Sequence, residues 1–108
     1  MKAKAFMGAV NRFYYAAFYA ARALLALREM DSSRHSGVIS LFQGQFVKPG
    51  LFETEVAKAL PRAFEKRQKT DYGDFSTVTA SEAQSIRREV NEFVKACEQL
   101  LYRLAAES

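Results

Sequence analysis

From Phe6 to Met30 the apolar positions recur at three- and four-residue steps. Phe6, Val10, Phe13, Tyr14, Ala17, Phe18, Ala21, Leu24 and Leu25 fall on one stripe, which is the period of a helix with a core-facing side. No proline interrupts the run, only Gly8 weakens it, and alanine and leucine dominate, so the segment predicts one long helix. A second stripe of Arg12, Tyr15, Tyr19 and Arg22 has the same spacing and leaves little of the circumference plainly polar. Such a helix needs neighbours on two sides.

Asp31-Ser32-Ser33-Arg34-His35-Ser36-Gly37 reads as a polar turn, with Ser32 or Ser33 available to cap the next helix. Val38, Ile39, Phe42 and Phe46 predict a short helix ending near Val47, and Lys48-Pro49-Gly50 breaks it. A third helix is expected from Phe52 to Thr70, with Phe52, Val56, Leu60, Ala63 and Phe64 on one side and Arg67 continuing that side. Pro61 in its middle requires a kink, or a restart that places the proline in a first turn. Asp71 to Ser76 is a loop by composition. Thr79-Ala80-Ser81-Glu82 has the T-x-x-E spacing of a capping box and opens the clearest amphipathic element, with Ala83, Ile86, Val90, Phe93, Val94, Cys97, Leu100, Leu101 and Leu104 on one stripe.

No segment alternates like a strand and no repeat emerges. The expected fold is all-α, an antiparallel up-and-down bundle of the four-helix type, in a single domain spanning residues 1–108. Three long helices and a short one leave such a bundle one helix short. Either the Val38–Val47 element fills the gap or another chain does.

Composition narrows the class. Hydrophobic residues make up 49% and charged residues 26%, the balance of a folded soluble protein and not of a disordered one. The net charge of +4 is uneven: residues 1–30 hold five basic groups against one acidic, and residues 73–108 hold four against six. That bias permits nucleic acid or an acidic protein partner, although a solvated surface explains it as well. The lone cysteine, Cys97, forms no internal disulfide and lies in an apolar stripe, which fits a packing role in a reduced compartment. The opening MKAKAFMGAV lacks the form of a signal peptide, and Arg22 interrupts the richest apolar run, so the expectation is a cytoplasmic protein without a membrane span.

The chemistry available is limited. One histidine and one cysteine exclude the usual zinc sites, and Gly37, Gly44 and Gly50 match no phosphate-binding loop. No metal and no cofactor is expected. What remains is a polar cluster that helix periodicity can assemble: Arg12 and Tyr15 one turn apart on the first helix, and Arg67, Asp71 and Tyr72 closing the third. Arginine grips phosphate with a bidentate fork and tyrosine stacks on bases. The competing reading is structural: Arg62, Lys66, Arg67 and Lys69 suit the dipole at a helix end, and the tyrosines pack with their hydroxyls tied to partners.

The stretches NRFYYAAFYAARALLAL, RHSGVISLFQGQFVKPG and RAFEKRQKTDY, in that order, resemble the small prokaryotic HEPN-domain proteins whose members carry N-R-x-Y-Y-A-x-F and R-x-x-x-D-Y signatures. The resemblance runs from Gly8 to about Leu101. It implies an up-and-down helical bundle, commonly a homodimer, paired with a minimal nucleotidyltransferase in a toxin–antitoxin-like system, with nucleotide or RNA as ligand. Many such proteins are metal-independent ribonucleases using R-x(4–6)-H. Here Arg67 to Tyr72 has tyrosine in the histidine's place, which counts against cleavage. Arg28 to His35 has R-x6-H spacing but crosses the first interhelical turn, and reads as coincidence. Relatives of this kind carry a further helix before G-A-V-N-R, so the first helix is expected to be shortened or missing.

Three functions stand as expectations. The first is a dimeric binding module with Arg12, Tyr15, Tyr19, Arg67, Asp71 and Tyr72 as ligand-binding residues. The second is a ribonuclease toxin in which Arg67 stabilises transition-state charge and Tyr72 or His35 moves protons. Tyrosine's ordinary pKa near 10 makes it a poor base at neutral pH, so this ranks below the first. The third is a purely structural dimerisation domain.

Overall fold

The computed structural model of the protein describes residues 3–71 and 79–107, with side chains over 8–69 and 79–107. The expectations placed on residues 72–76 of the loop and on the side chains of Phe6, Asp71 and Tyr72 lie outside these residues, and Asp71, expected to open the loop, is the last residue of a helix.

All regular structure among the described residues is helical. Helix α1 spans Ala3–Leu27, α2 His35–Phe42, α3 Thr54–Ala57, α4 Ala59–Asp71 and α5 Ala80–Glu107. The chain extends 47 × 25 × 18 Å. Its length comes from α5, whose 28 residues at about 1.5 Å each span roughly 42 Å. Helix α1 packs along α5 on one side and along α4 and α2 on others, so it occupies the centre of the bundle. Of its two side-chain stripes the first is covered, with Val10, Tyr14, Ala17, Phe18, Ala21, Leu24 and Leu25 buried and Phe13 partly so; on the second, Tyr15 and Arg22 are partly buried and Arg12 and Tyr19 are exposed.

The end of α1 shows how backbone groups are satisfied without a glycine. After Leu27 the chain folds back so that the Met30 amide donates to the Leu25 carbonyl at 3.0 Å, with Glu29 in the left-handed region at φ 57°. A C-terminal residue of this kind is usually glycine, because a Cβ strains the conformation. Helix α1 therefore ends at Leu27, three residues before the expected Met30.

Helix α2 starts at His35, earlier than the pattern indicates, with Arg34 at its N-cap and no side-chain cap. Ser32 does not cap it; its hydroxyl accepts from the Arg34 amide at 3.2 Å, just ahead of the helix. After Phe42 the helix widens into a π-turn, Gln43–Val47, closed by the Lys48 amide on the Gln43 carbonyl at 2.9 Å. The turn and the Gly50 bend, at φ +84°, bring Phe46 and Phe52 inward. Phe42 lies 5.4 Å from Phe46, 5.1 Å from Phe52 and 5.4 Å from Phe93, centroid to centroid. Aromatic pairs at such spacings add about 0.5–1.5 kcal/mol each beyond their buried area. The short element thus fills the fourth side of the bundle from within the chain.

The expected Phe52–Thr70 helix is two helices. Pro61 has no amide to donate to the Ala57 carbonyl four residues back, and its ring would collide with that carbonyl in a continuous helix. The break falls there: α3 ends at Ala57 and α4 restarts at Ala59, placing Pro61 in a first turn where no amide is required. Leu60 and Ala63 are buried and Phe64 is partly so, in keeping with the stripe.

At α5 the capping residues behave as their spacing predicts. The Glu82 amide donates to the Thr79 hydroxyl oxygen at 3.1 Å, and that hydroxyl donates to the Glu82 carboxylate at 3.2 Å. The carboxylate also pairs with Lys66 on α4, which holds the two helices together and keeps the Glu82 carboxyl below its ordinary range. Cys97 is buried in the α5 stripe, where burial pushes its thiol up to about 12.

Candidate functional site

Asn11, Tyr14, Tyr15, Phe18, Tyr19 and Arg22 project from successive turns of α1 because they are spaced three and four apart. Helix α4 crosses this stripe and delivers Arg67, one turn beyond Phe64. The Arg67 Nε donates to Asn11 Oδ1 at 3.0 Å, and its Nη2 donates to the Tyr15 hydroxyl at 3.1 Å. The guanidinium carbon sits 5.4 Å from the centroid of Tyr14 and 5.2 Å from that of Tyr15, within cation–π range of both. Arg67 is thus oriented by two side chains and two rings of a single helix, and its position is set before any ligand arrives.

His35, the first residue of α2, joins from the other side. Its Nδ1 lies 2.9 Å from the Tyr14 hydroxyl. Its ring packs 4.5 Å from Phe18 and 6.1 Å from Phe64, centroid to centroid, and meets Tyr15 edge-on at 6.1 Å. Desolvation in this aromatic surround, then the positive charge of Arg67 and of Arg22, hold the His35 pKa below its ordinary value of 6.5. The Tyr14 phenol is driven the other way by burial and stays protonated throughout the working pH range.

Beside His35 the surface opens into a cleft of about 590 Å³, walled by Tyr15, Phe18, Tyr19 and Arg22 from α1 and by Asp31 and Ser33 from the loop. Tyr19 stacks on Tyr15 at 5.8 Å with planes 27° apart, and it is 58% exposed. Arg22 clasps Asp31 through both carboxylate oxygens, Nε to Oδ1 at 3.1 Å and Nη2 to Oδ2 at 2.6 Å, which fixes the loop to the helix and lowers the Asp31 pKa.

Of the six ligand-binding candidates, Tyr15 and Arg67 are bonded to each other and Tyr19 stacks beside them. Arg12 is exposed on α1 and takes no part in these contacts. Asp71 closes α4 with its side chain outside the described residues, and Tyr72 lies wholly outside them. Arg62, Lys66 and Lys69 pair with Glu89, Glu82 and Glu65, and of the three only Lys69 lies in the last turn of α4, where the helix dipole favours it. Spacing alone undervalues three residues. It places Tyr14 in the core, gives Asn11 no role, and relates His35 only to Arg28. In the structure Arg28 lies apart from His35, its guanidinium 5.1 Å from the Phe46 ring and bonded to Gln45. Asn11 does carry a signal, a polar side chain one turn before Tyr15 on the stripe that meets α4. The Tyr14–His35 contact, 21 residues apart, carries none. Among the described residues no group of three or more His, Cys, Asp or Glu side chains could hold a metal ion, and no helix is long and apolar enough to cross a membrane.

Fold and cluster together define a small helical bundle with a preset arginine at the crossing of its first and fourth helices. The chain belongs to the HEPN domain family, whose model matches residues 1–100. It is 39% identical over 93 residues to a Thermotoga maritima protein named "UPF0332 protein", covering 86% of this chain and 70% of that one. It is also similar to two Methanocaldococcus jannaschii proteins, each named "Putative toxin". Identity is 30% over 93 residues to one, covering 86% of this chain and 63% of the relative, and 36% over 91 residues to the other, covering 84% and 67%. No solved structure matches the chain.

Proposed function

We propose that this protein is a HEPN binding module of a toxin–antitoxin-like pair, a homodimer that docks a minimal nucleotidyltransferase and takes an anionic nucleotide or RNA group at the Arg67 cluster. The observation that carries the ligand reading is Arg67 itself. Its guanidinium is aligned by Asn11 and Tyr15 against an aromatic wall, of which Tyr15 also lines the open cleft, and a pre-oriented guanidinium binds phosphate without first losing side-chain freedom. Tyr19, exposed and stacked on Tyr15, extends the wall by a face on which a base can lie. The family match and the two relatives named as toxins support a toxin-like role, and the nucleotidyltransferase partner is what the resemblance implies.

The dimer reading rests on α1. Ala16, Ala23 and Ala26 are exposed on one side of this helix, with Arg12 and Tyr19 on the same stripe, so three small side chains let a second helix approach there between two larger ones. Light scattering tests it: a mass near twice 12.2 kDa is expected, and a monomer at all concentrations sinks it. For the ligand, titration with AMP and with a short RNA is expected to show binding that Arg67→Ala abolishes.

A second reading, a metal-independent ribonuclease, is favoured by one observation: His35, the only histidine, shares the aromatic surround of Arg67. RNA degradation in the presence of a chelator, lost in both Arg67→Ala and His35→Gln, would reverse the order of the two.

A further inference from the structure

The buried hydroxyl of Tyr14 presents a chemical question that the cluster's overall shape leaves open. The Tyr14 side chain is fully buried, and its only hydrogen-bond partner among the described residues is His35 Nδ1 at 2.9 Å. A phenol O–H removed from water needs an acceptor, and an orphaned donor costs about 1–3 kcal/mol. Nδ1 is the acceptor on hand, and it can accept only while it carries no proton. The neutral ring must then bear its proton on Nε2. That second nitrogen has no protein partner among the described residues, yet no buried side-chain nitrogen or oxygen among them is unsatisfied, so Nε2 reaches solvent. The opening it reaches is the cleft that His35 lines together with Tyr15, Tyr19 and Arg22.

We infer that Tyr14 is a positioning residue: by donating to Nδ1 it fixes His35 as the neutral Nε2–H tautomer and makes that ring a hydrogen-bond donor to an anionic oxygen in the cleft. The ring then works in the cleft as a donor and not as a base. A general base needs a free lone pair facing the substrate, and here the lone pair is turned inward and occupied. An imidazolium is disfavoured from both sides, since protonating Nδ1 would strip the phenol of its acceptor.

Among the described residues the charged and titratable groups that face the ring come from three elements. Arg67 comes from α4; Arg22, Tyr14, Tyr15 and Tyr19 come from α1; Asp31 comes from the loop and is engaged by Arg22. The two arginines oppose a positive imidazole, and the one carboxylate within the cleft wall is already neutralised. The donor role rests on the proposed ligand reading; the tautomer does not, and the two can be tested apart.

Because the protein has a single histidine, its two ring nitrogens give one unambiguous pair of ¹⁵N resonances. At pH 7 the free protein is expected to show an unprotonated Nδ1 and a protonated Nε2, with titration below the ordinary histidine range. Tyr14→Phe keeps the ring packing and removes the donor; a mixture of tautomers and a titration midpoint moved upward are expected. A protonated Nδ1 in the wild-type protein overturns the inference, whether or not the variant folds, and so does an unaltered tautomer in a folded Tyr14→Phe protein. Titrating AMP into the same sample separates the two claims. A shift of the Nε2 resonance, weakened at least several-fold in Tyr14→Phe, supports both, whereas a fixed tautomer with no response to AMP or to short RNA overturns the ligand reading and leaves the tautomer in place.

Discussion

Arg67 on α4 donates to the hydroxyl of Tyr15 on α1 at 3.1 Å while its guanidinium lies 5.2 Å from the centroid of the same ring. One tyrosine therefore supplies both an acceptor and a face to one cation, and both helices are registered by the contact. Since Tyr15 is only partly buried, the pair stands at the boundary between core and cleft. A residue in that position serves packing and recognition together, so stability and binding must be measured on the same variants.

Arg67→Ala is expected to lower stability by about 1–2 kcal/mol, because Asn11 and Tyr15 lose a charge-assisted donor but can turn to water. Arg67→Lys should recover little, since one ammonium cannot reach both acceptors in the fork geometry of a guanidinium. Thermal melts and AMP titrations on both variants check this. Full stability and full binding in Arg67→Lys would show that charge alone matters.

Most of the helices are legible from periodicity because each buries one stripe: on α5 Ala83, Ile86, Val90, Phe93, Cys97 and Leu100 are buried and Val94 is partly so, at the positions that spacing selects. Thr79 and Glu82 announce the start of that helix through a local bond, and Pro61 announces a break. Spacing does not reach features set by contacts distant in sequence. The π-turn after Phe42 keeps both Phe42 and Phe46 buried, with Phe42 packed on Phe93 of a distant helix, a contact that no local pattern encodes. His35 reads as part of a polar turn because its partners, Tyr14 and Phe18, lie on another helix. The pairing of Tyr15 with Arg67 crosses 52 residues, and only the stripe on each helix hints at it.

Gly37 is expected to resist substitution. A Cβ placed there would lie 2.1 Å from the Ser32 hydroxyl oxygen and 2.9 Å from the Ser32 Cβ, so the first turn of α2 and the loop that precedes it cannot both keep their positions. Gly37→Ala should cost about 1–3 kcal/mol, the usual range for overpacking, and should loosen His35, two residues away. Urea unfolding measures the first effect and the ¹⁵N titration of His35 the second. Combining it with Ser32→Gly removes both colliding atoms and should return part of the loss.

Glu29 offers the reverse case. It holds φ 57° at the end of α1, where a side chain strains the backbone and nothing requires one. Glu29→Gly is expected to stabilise the protein by about 0.5–1 kcal/mol, read as a rise in melting temperature with an unchanged urea m-value. A loss of stability would mean that the Glu29 side chain contributes more than its conformation costs.

Acid should weaken the fold in two stages, and the sign is set by which state binds more protons. His35 titrates lower in the folded protein than the ordinary 6.5, so between those two values the unfolded chain holds the extra proton. Its contribution is fully present above pH 6.5 and is lost as pH falls through the depressed folded value. Glu82, held below its ordinary 4.5 first by its bond to Lys66, behaves in the same way further down the scale. Its contribution is intact above pH 4.5 and disappears as pH drops through the lowered folded value. His35→Gln removes only the upper stage while still offering Tyr14 an acceptor, and Glu82→Gln shrinks only the lower one. Urea midpoints measured from pH 8 to pH 3 on the three proteins resolve the stages. An upper stage that survives in His35→Gln would assign it to another group and would remove the claim that the aromatic surround and Arg67 keep this ring neutral.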